Sequence, residues 1–160
     1  MKKTAIAIFI IFLFSSPYAQ RGMEGFGIGV IVGEPTGITI KIWTGNTTAF
    51  QAAAAWSFSG YESFQFHADY LFHNFGILNS DEMRGALPLY VGIGGRIKLK
   101  EDNDLDDNDE ASIGARVPLG MSYIFEDTPL DIFIEVVPIL DVLPDTDFDL
   151  NGAAGIRFYL

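Results

Sequence analysis

His67 and Asp69 stand two residues apart in the stretch QFHADY, and Ser57 or Ser122 could supply a nucleophile for them. Serine, imidazole and carboxylate together perform acyl transfer, with the imidazole taking the hydroxyl proton and the acid holding the imidazole in place. The residues around the pair argue for a plainer use. From Ser63 to His73, Phe64, Phe66, Ala68, Tyr70 and Phe72 alternate with Gln65, His67, Asp69 and Leu71, so both polar groups lie on one face of a strand. Pointing into a packed interior that a lipid substrate could not enter, they read as a hydrogen-bonded core pair, because geometry must come before motif. GIGG at Gly92 to Gly95 lies mid-strand with no helix after it, so it is not a phosphate loop. No catalytic or cofactor-binding residue is assigned.

A second chemical feature is the run EDNDLDDNDE, Glu101 to Glu110. Asp102, Asp104 and Asp106 have the alternating oxygen spacing of a calcium loop, but Asp107 occupies the place of the glycine that makes its sharp turn. These three aspartates are weak candidates for divalent cations, and like charges at such density favour a solvated loop.

The elements that would carry these residues are strands throughout. Gly25 to Val32 alternates glycine with Phe26, Ile28, Val30 and Val32, and the turn GEPTG leads into Gly37 to Trp43, where Ile38, Ile40 and Ile42 oppose Thr39, Lys41 and Trp43. Ala49 to Phe58, Ser63 to His73, Pro88 to Leu99, Ser112 to Ile124, Leu130 to Val137 and Asn151 to Leu160 repeat the pattern. That makes eight strands whose apolar face carries no charge. The other face holds Lys41, Gln51, Gln65, His67, Asp69, Arg96, Arg116, Glu135, Asn151 and Arg157.

A soluble barrel would bury the apolar face. Here the apolar residues are too large and too many for an eight-stranded interior, and glycines fall mostly on the polar face, where long cations need room. Aromatics gather at strand ends, with Phe26, Phe50, Tyr70, Phe72, Tyr123 and Phe158 toward one rim and Trp56, Phe58, Phe64 and Phe66 toward the other. Such girdles mark two membrane interfaces. The expectation is an all-β, eight-stranded antiparallel up-and-down transmembrane barrel with its charges inside. Unpaired ions there cost several kcal/mol, so Lys41, Arg96, Arg116 and Arg157 need Asp69, Asp131, Glu135 or Asp149 as partners, and the lumen is plugged.

Two further expectations concern irregular places. Asn74 to Leu87 could hold a helical turn capped by Asn79 or Ser80, with Gly85 at its stop. Pro118, inside a strand, needs a bulge or forfeits a ladder bond.

The opening MKKTAIAIFIIFLFSSPYAQ has Lys2 and Lys3, an apolar run from Ala5 to Phe14 and a cut after Ala19, the layout of a secretory signal peptide. Residues 1–19 are therefore read as signal and 20–160 as one barrel domain. Removing Lys2 and Lys3 takes the net charge from -11 to -13, which argues against nucleic acid as a partner. The absence of cysteine removes a lipoprotein anchor and any thiolate metal site.

Gly155, Phe158 and Leu160 resemble the C-terminal signal that the barrel assembly machinery reads in outer-membrane barrels. Signal, strands and terminus together are similar to small bacterial outer-membrane barrels of the OmpA and OmpX type. GEPTGITIKIW, HADYLFHNFG, LPLYVGIGGRIKL and PLDIFIEVVPILDVLPDTDFDLNGAAGIRFYL more closely resemble a family of uncharacterised outer-membrane β-barrel proteins. The resemblance implies residence in the outer membrane of a Gram-negative cell, outer-membrane lipid and the assembly machinery as partners, and a structural or surface-interaction role without catalysis. Two alternatives stand beside it: an exported lipocalin-like barrel holding an apolar ligand, and a lipid-modifying barrel enzyme.

Overall fold

The alternation of apolar and polar residues folds the chain into a closed ring of strands. The computed structural model describes residues 25–57, 63–78, 80–100 and 111–160. Among them run β1 (Phe26–Gly33), β2 (Thr36–Trp43), β3 (Thr48–Ser57), β4 (Ser63–Asn74), β5 (Leu89–Lys100), β6 (Ala111–Arg116), β7 (Leu119–Ile124), β8 (Leu130–Leu143) and β9 (Asp147–Tyr159). Consecutive strands pair antiparallel, except that β6 and β7 each pair with β5 and β8 rather than with one another, and β1 pairs with β9, so the sheet closes on itself.

β6 and β7 are two halves of one crossing. Arg116 faces Gly94 and Ile139, and Leu119 faces Val91 and Val136, so the register on both flanks is the same before and after the break. Eight strands therefore make the wall. Of the two outcomes open to Pro118, a bulge or a forfeited ladder bond, the strand takes the second; its register shift lies between Ile113 and Gly114. Val117 still donates to the Pro138 carbonyl at 3.1 Å and Gly92 to the Pro118 carbonyl at 2.9 Å. What is lost is only the N–H that proline does not have.

The stagger of the ring fixes its size. A row of ladder partners from Ile28 runs through Ile40, Ala52, Ala68, Gly95, Ala115 and Leu140 to Phe148, ten residues from Phe158, the residue that actually faces Ile28. Eight strands with a shear of that size tilt by about 40° and give a backbone radius of about 8 Å, a lumen that side chains fill.

Two sequence expectations are corrected. The hairpin of β8 and β9 is longer than the pattern suggested, since Asp141 still faces Asp147 across it and the turn is confined to Pro144, Asp145 and Thr146. Asp141 had the look of a turn residue because it precedes a proline-rich loop, yet it is buried and faces inward. The stretch from Asn74 to Leu87 forms turns and no helix among its described residues. It is held by Met83 donating to the Ser80 carbonyl at 3.1 Å and by a two-way bridge between Ala86 and Ile124. That bridge takes its last residues into the sheet, which leaves too few for a helix.

The side chains have the sense predicted. Ile28, Val30, Ile38, Ile93, Ile97, Ile134 and Val136 are exposed on the outside, while Lys41, Gln51, Asp69, Arg116, Asp131 and Arg157 are almost wholly buried inside. Trp56, Phe64 and Phe66 pack edge to edge near the loop end that follows β3, and Tyr70 with Phe72 near the end that holds the C-terminus. Phe64 and Phe72 lie eight residues apart on β4, which at this tilt separates the aromatic levels by about 20 Å, close to the height of the apolar band of membrane barrels.

Candidate functional site: the filled lumen

The lumen has three levels. At the end near the C-terminus, Lys41 donates to His73 Nε2 at 2.9 Å and faces Asp131 at 3.8 Å. Its ammonium lies over the rings of Trp43 and Tyr90, 4.4 and 5.7 Å from their centroids. Trp43, His73 and Phe75 stack on one another, and Tyr159, Ile124 and Ala86 join them in an apolar cluster. This aromatic layer floors the barrel.

The middle level is ionic. Arg116 Nε lies 2.9 Å from Asp69 Oδ1 and its Nη2 3.5 Å from Glu135 Oε1. Gln51 donates to both carboxylates, at 3.1 Å to Asp69 and 3.2 Å to Glu135, and accepts from Arg157 Nη2 at 2.7 Å. Tyr90 donates to Glu135 at 3.0 Å. Arg157 also faces Asp131 at 3.5 Å and lies flat over Phe133, 3.7 Å from the ring centroid, while Tyr159 donates to Asp131 at 2.8 Å. Four buried carboxylates, Asp69, Asp131, Glu135 and Asp141, match the four buried cations Lys41, Arg96, Arg116 and Arg157. Near-equal numbers are what a narrow interior requires, since an unpaired ion there costs several kcal/mol.

Toward the opposite end, Arg96 makes a two-pronged contact with Asp141, Nε at 3.0 Å and Nη2 at 2.6 Å, and reaches Asp149 at 3.0 Å. Asp149 was foreseeable as a partner; Asp141 was not, because the sequence pattern places it in a loop. Asp149 also accepts from the N–H of Leu150 at 2.9 Å, on the stretch of β9 that pairs with β8 but extends beyond β1, so that its other side has no partner strand among the described residues. Self-capping and negative charge blunt that open edge.

A single device joins these partners. Asp69 and Arg116 face opposite sides of Gly94, Arg96 and Asp141 opposite sides of Gly114, and Tyr90 and Glu135 opposite sides of Gly120. In each case two long polar side chains on outer strands meet over a central glycine. A Cβ at Gly94 would overlap the Asp69 carboxylate and one at Gly114 the Asp141 carboxylate, so these residues are the space through which the ion pairs form.

The hydrolase constellation is not assembled. Asp69 is engaged by Arg116 and Gln51, Ser57 donates to Glu34, and His67 faces Arg96 along the ladder. Ser122 lies near the floor, opposite Phe133 on β8. Gly155 and Phe158 lie on β9, with Phe158 and Leu160 exposed on the outer face. Phe158 pairs with Ile28 of β1, and Leu160 donates to the Phe26 carbonyl at 3.0 Å, so the terminal residues close the ring. Asp102, Asp104 and Asp106 lie outside the described residues, as does the segment 1–19.

Comparison with known proteins agrees with the geometry. The N-terminal β-barrel domain of OprF from Pseudomonas aeruginosa superposes with a TM-score of 0.68 over 88% of this chain and 100% of that one, at 12% identity, a likeness of fold. Among curated proteins none matches. Residues 18–159 match the family described as protein of unknown function DUF3996, and the chain belongs to that family.

Proposed function

We propose that the protein is an integral outer-membrane β-barrel, exported by residues 1–19 and assembled as residues 20–160. Its role is structural or surface-interacting, its lumen is closed and it catalyses nothing. The observation that carries this reading is the inversion of the fold: ion pairs fill the inside and branched aliphatic side chains cover the outside. Water would not tolerate that exterior, whereas lipid does, because a closed ladder satisfies every backbone group internally. A lipocalin-like barrel holding an apolar ligand needs the opposite sense of side chains. The likeness to the OprF barrel domain supports the same reading.

Fractionation tests it. The chain should stay with outer-membrane vesicles through an alkaline carbonate wash; recovery in the soluble periplasm without detergent would overturn the proposal. In planar bilayers the floor of Trp43, His73 and Phe75 should prevent porin-sized conductance steps, and stable large steps would refute the closed lumen.

A further inference from the structure

The two ends of the lumen differ. The floor is aromatic, whereas at the other end the inner faces of β4, β5 and β6 carry a run of polar groups without partners among the described residues. Ser63, Gln65 and His67 are 3%, 0% and 4% exposed. Yet Ser63 Oγ, both amide atoms of Gln65 and His67 Nδ1 have no hydrogen-bond partner among the described residues. Such groups cost about 1–3 kcal/mol each when left dry, so a run of neutral ones on neighbouring inner positions favours the entry of something polar.

Cations stand beside them. On the ladder Lys100 faces Ser63, Lys98 faces Gln65, and Arg96 faces His67; Lys98 also faces Ser112 of β6. Facing residues have Cβ atoms about 5 Å apart and the three facing pairs follow one another at about 7 Å along the strands, so Lys98 shares its level with Gln65 and Ser112 and has a second pair on either side. Arg96 is taken by Asp141 and Asp149, but the half-buried Lys98 and Lys100 make no ion pair among the described residues.

We propose that this end of the lumen, between β4, β5 and β6, binds a phosphate oxyanion. Two ammonium groups that are unpaired among the described residues supply charge, and Gln65 and Ser112 beside Lys98, with Ser63 or His67 one level away, supply neutral donors, a combination that suits an anion with several acceptor oxygens. The residues lie on the inner face while acyl chains would lie outside. The source is therefore inorganic phosphate or a water-soluble phosphate monoester, not a lipid headgroup. Seven acidic residues follow Lys100 in the sequence and weaken the attraction, so the dissociation constant is on the order of 1 mM.

The test uses the mature chain refolded in zwitterionic detergent and labelled for amide NMR. Sodium phosphate, sodium chloride at matched ionic strength and phosphatidylglycerol are titrated separately. Phosphate should produce saturable shifts at Ser63, Gln65, His67, Lys98 and Ser112 that chloride does not. Lys98→Gln with Lys100→Gln should weaken binding at least tenfold without changing the mobility of the folded band on a detergent gel. Gln65→Met, which keeps both lysines, should weaken it by a smaller factor. Shifts that chloride reproduces, shifts only with phosphatidylglycerol, an absence of saturation, or wild-type binding by the double lysine variant would each overturn the proposal.

Discussion

Gly94 and Gly95 are adjacent in β5, and replacing each by alanine should give opposite results. A Cβ on Gly94 would overlap the carboxylate of Asp69 and the Ala68 carbonyl, whereas one on Gly95 meets only the Gly114 carbonyl at 3.6 Å, an ordinary contact. Gly94→Ala therefore has to push Asp69 away from Arg116 and from Gln51, leaving the guanidinium with Glu135 at 3.5 Å alone. Breaking one arm of a buried ion pair costs about 3 kcal/mol. Gly95→Ala faces outward and restricts only the unfolded chain, which contributes about 0.5 kcal/mol of added stability. The two variants should thus differ by about 3.5 kcal/mol, in urea unfolding of the barrel in detergent micelles followed by the fluorescence of Trp43 and Trp56. If Gly94→Ala fails to refold while Gly95→Ala refolds normally, the sign is the same. Equal midpoints would refute the argument that glycine supplies the space for the lumen pairs.

Other outcomes follow from the same geometry. Glu135→Ala removes the acceptor of Tyr90 and Gln51 and one arm of Arg116, so it should destabilise by about 3 kcal/mol, against less than about 1 for an exposed pair; an unchanged urea midpoint would mean that water replaces the carboxylate. The folded chain should migrate faster than the boiled chain on a detergent gel, because the closed ladder resists detergent until heated, and identical mobilities would count against closure. Phe158→Ser with Leu160→Ser should block outer-membrane assembly while signal cleavage continues; normal assembly would remove the terminal signal.

Much of this barrel is legible in the sequence because a strand reports its two faces by alternation alone. Lys41, Asp69, Arg96, Arg116, Glu135 and Arg157 each sit on the parity opposite to the aliphatics, and each lies inside. Alternation says nothing about height. Whether Arg116 meets Asp69 or Asp149 depends on the stagger accumulated from strand to strand, and that stagger is visible only once the ladder of partners is known. Asp141 was missed for a related reason: an aspartate three residues before Pro144 has the local chemistry of a turn, and only its pairing with Asp147 and with Gly114 keeps it in the strand. Pro118 was readable as far as it went: its missing N–H allows a bulge or one lost ladder bond, and the structure takes the lost bond with the register intact.

The glycines connect the two kinds of information. In a lumen of about 8 Å backbone radius, long side chains on adjacent strands compete for one volume, so partners two strands apart can meet only if the strand between them offers no side chain. Asp69, Gly94 and Arg116 form such a row, as do Arg96, Gly114 and Asp141, and Tyr90, Gly120 and Glu135. A central glycine with a polar group on either side thus sets the height at which the flanking strands must align. Slipping the β6–β7 strand by two residues keeps every aliphatic outside, yet it puts Ser112 or Arg116 in the place of Gly114 and Pro118 or Ser122 in the place of Gly120, where the polar partners should meet. The apolar pattern selects which face is inside; the charge–glycine–charge rows select the register, and with it the shear that closes eight strands into this ring.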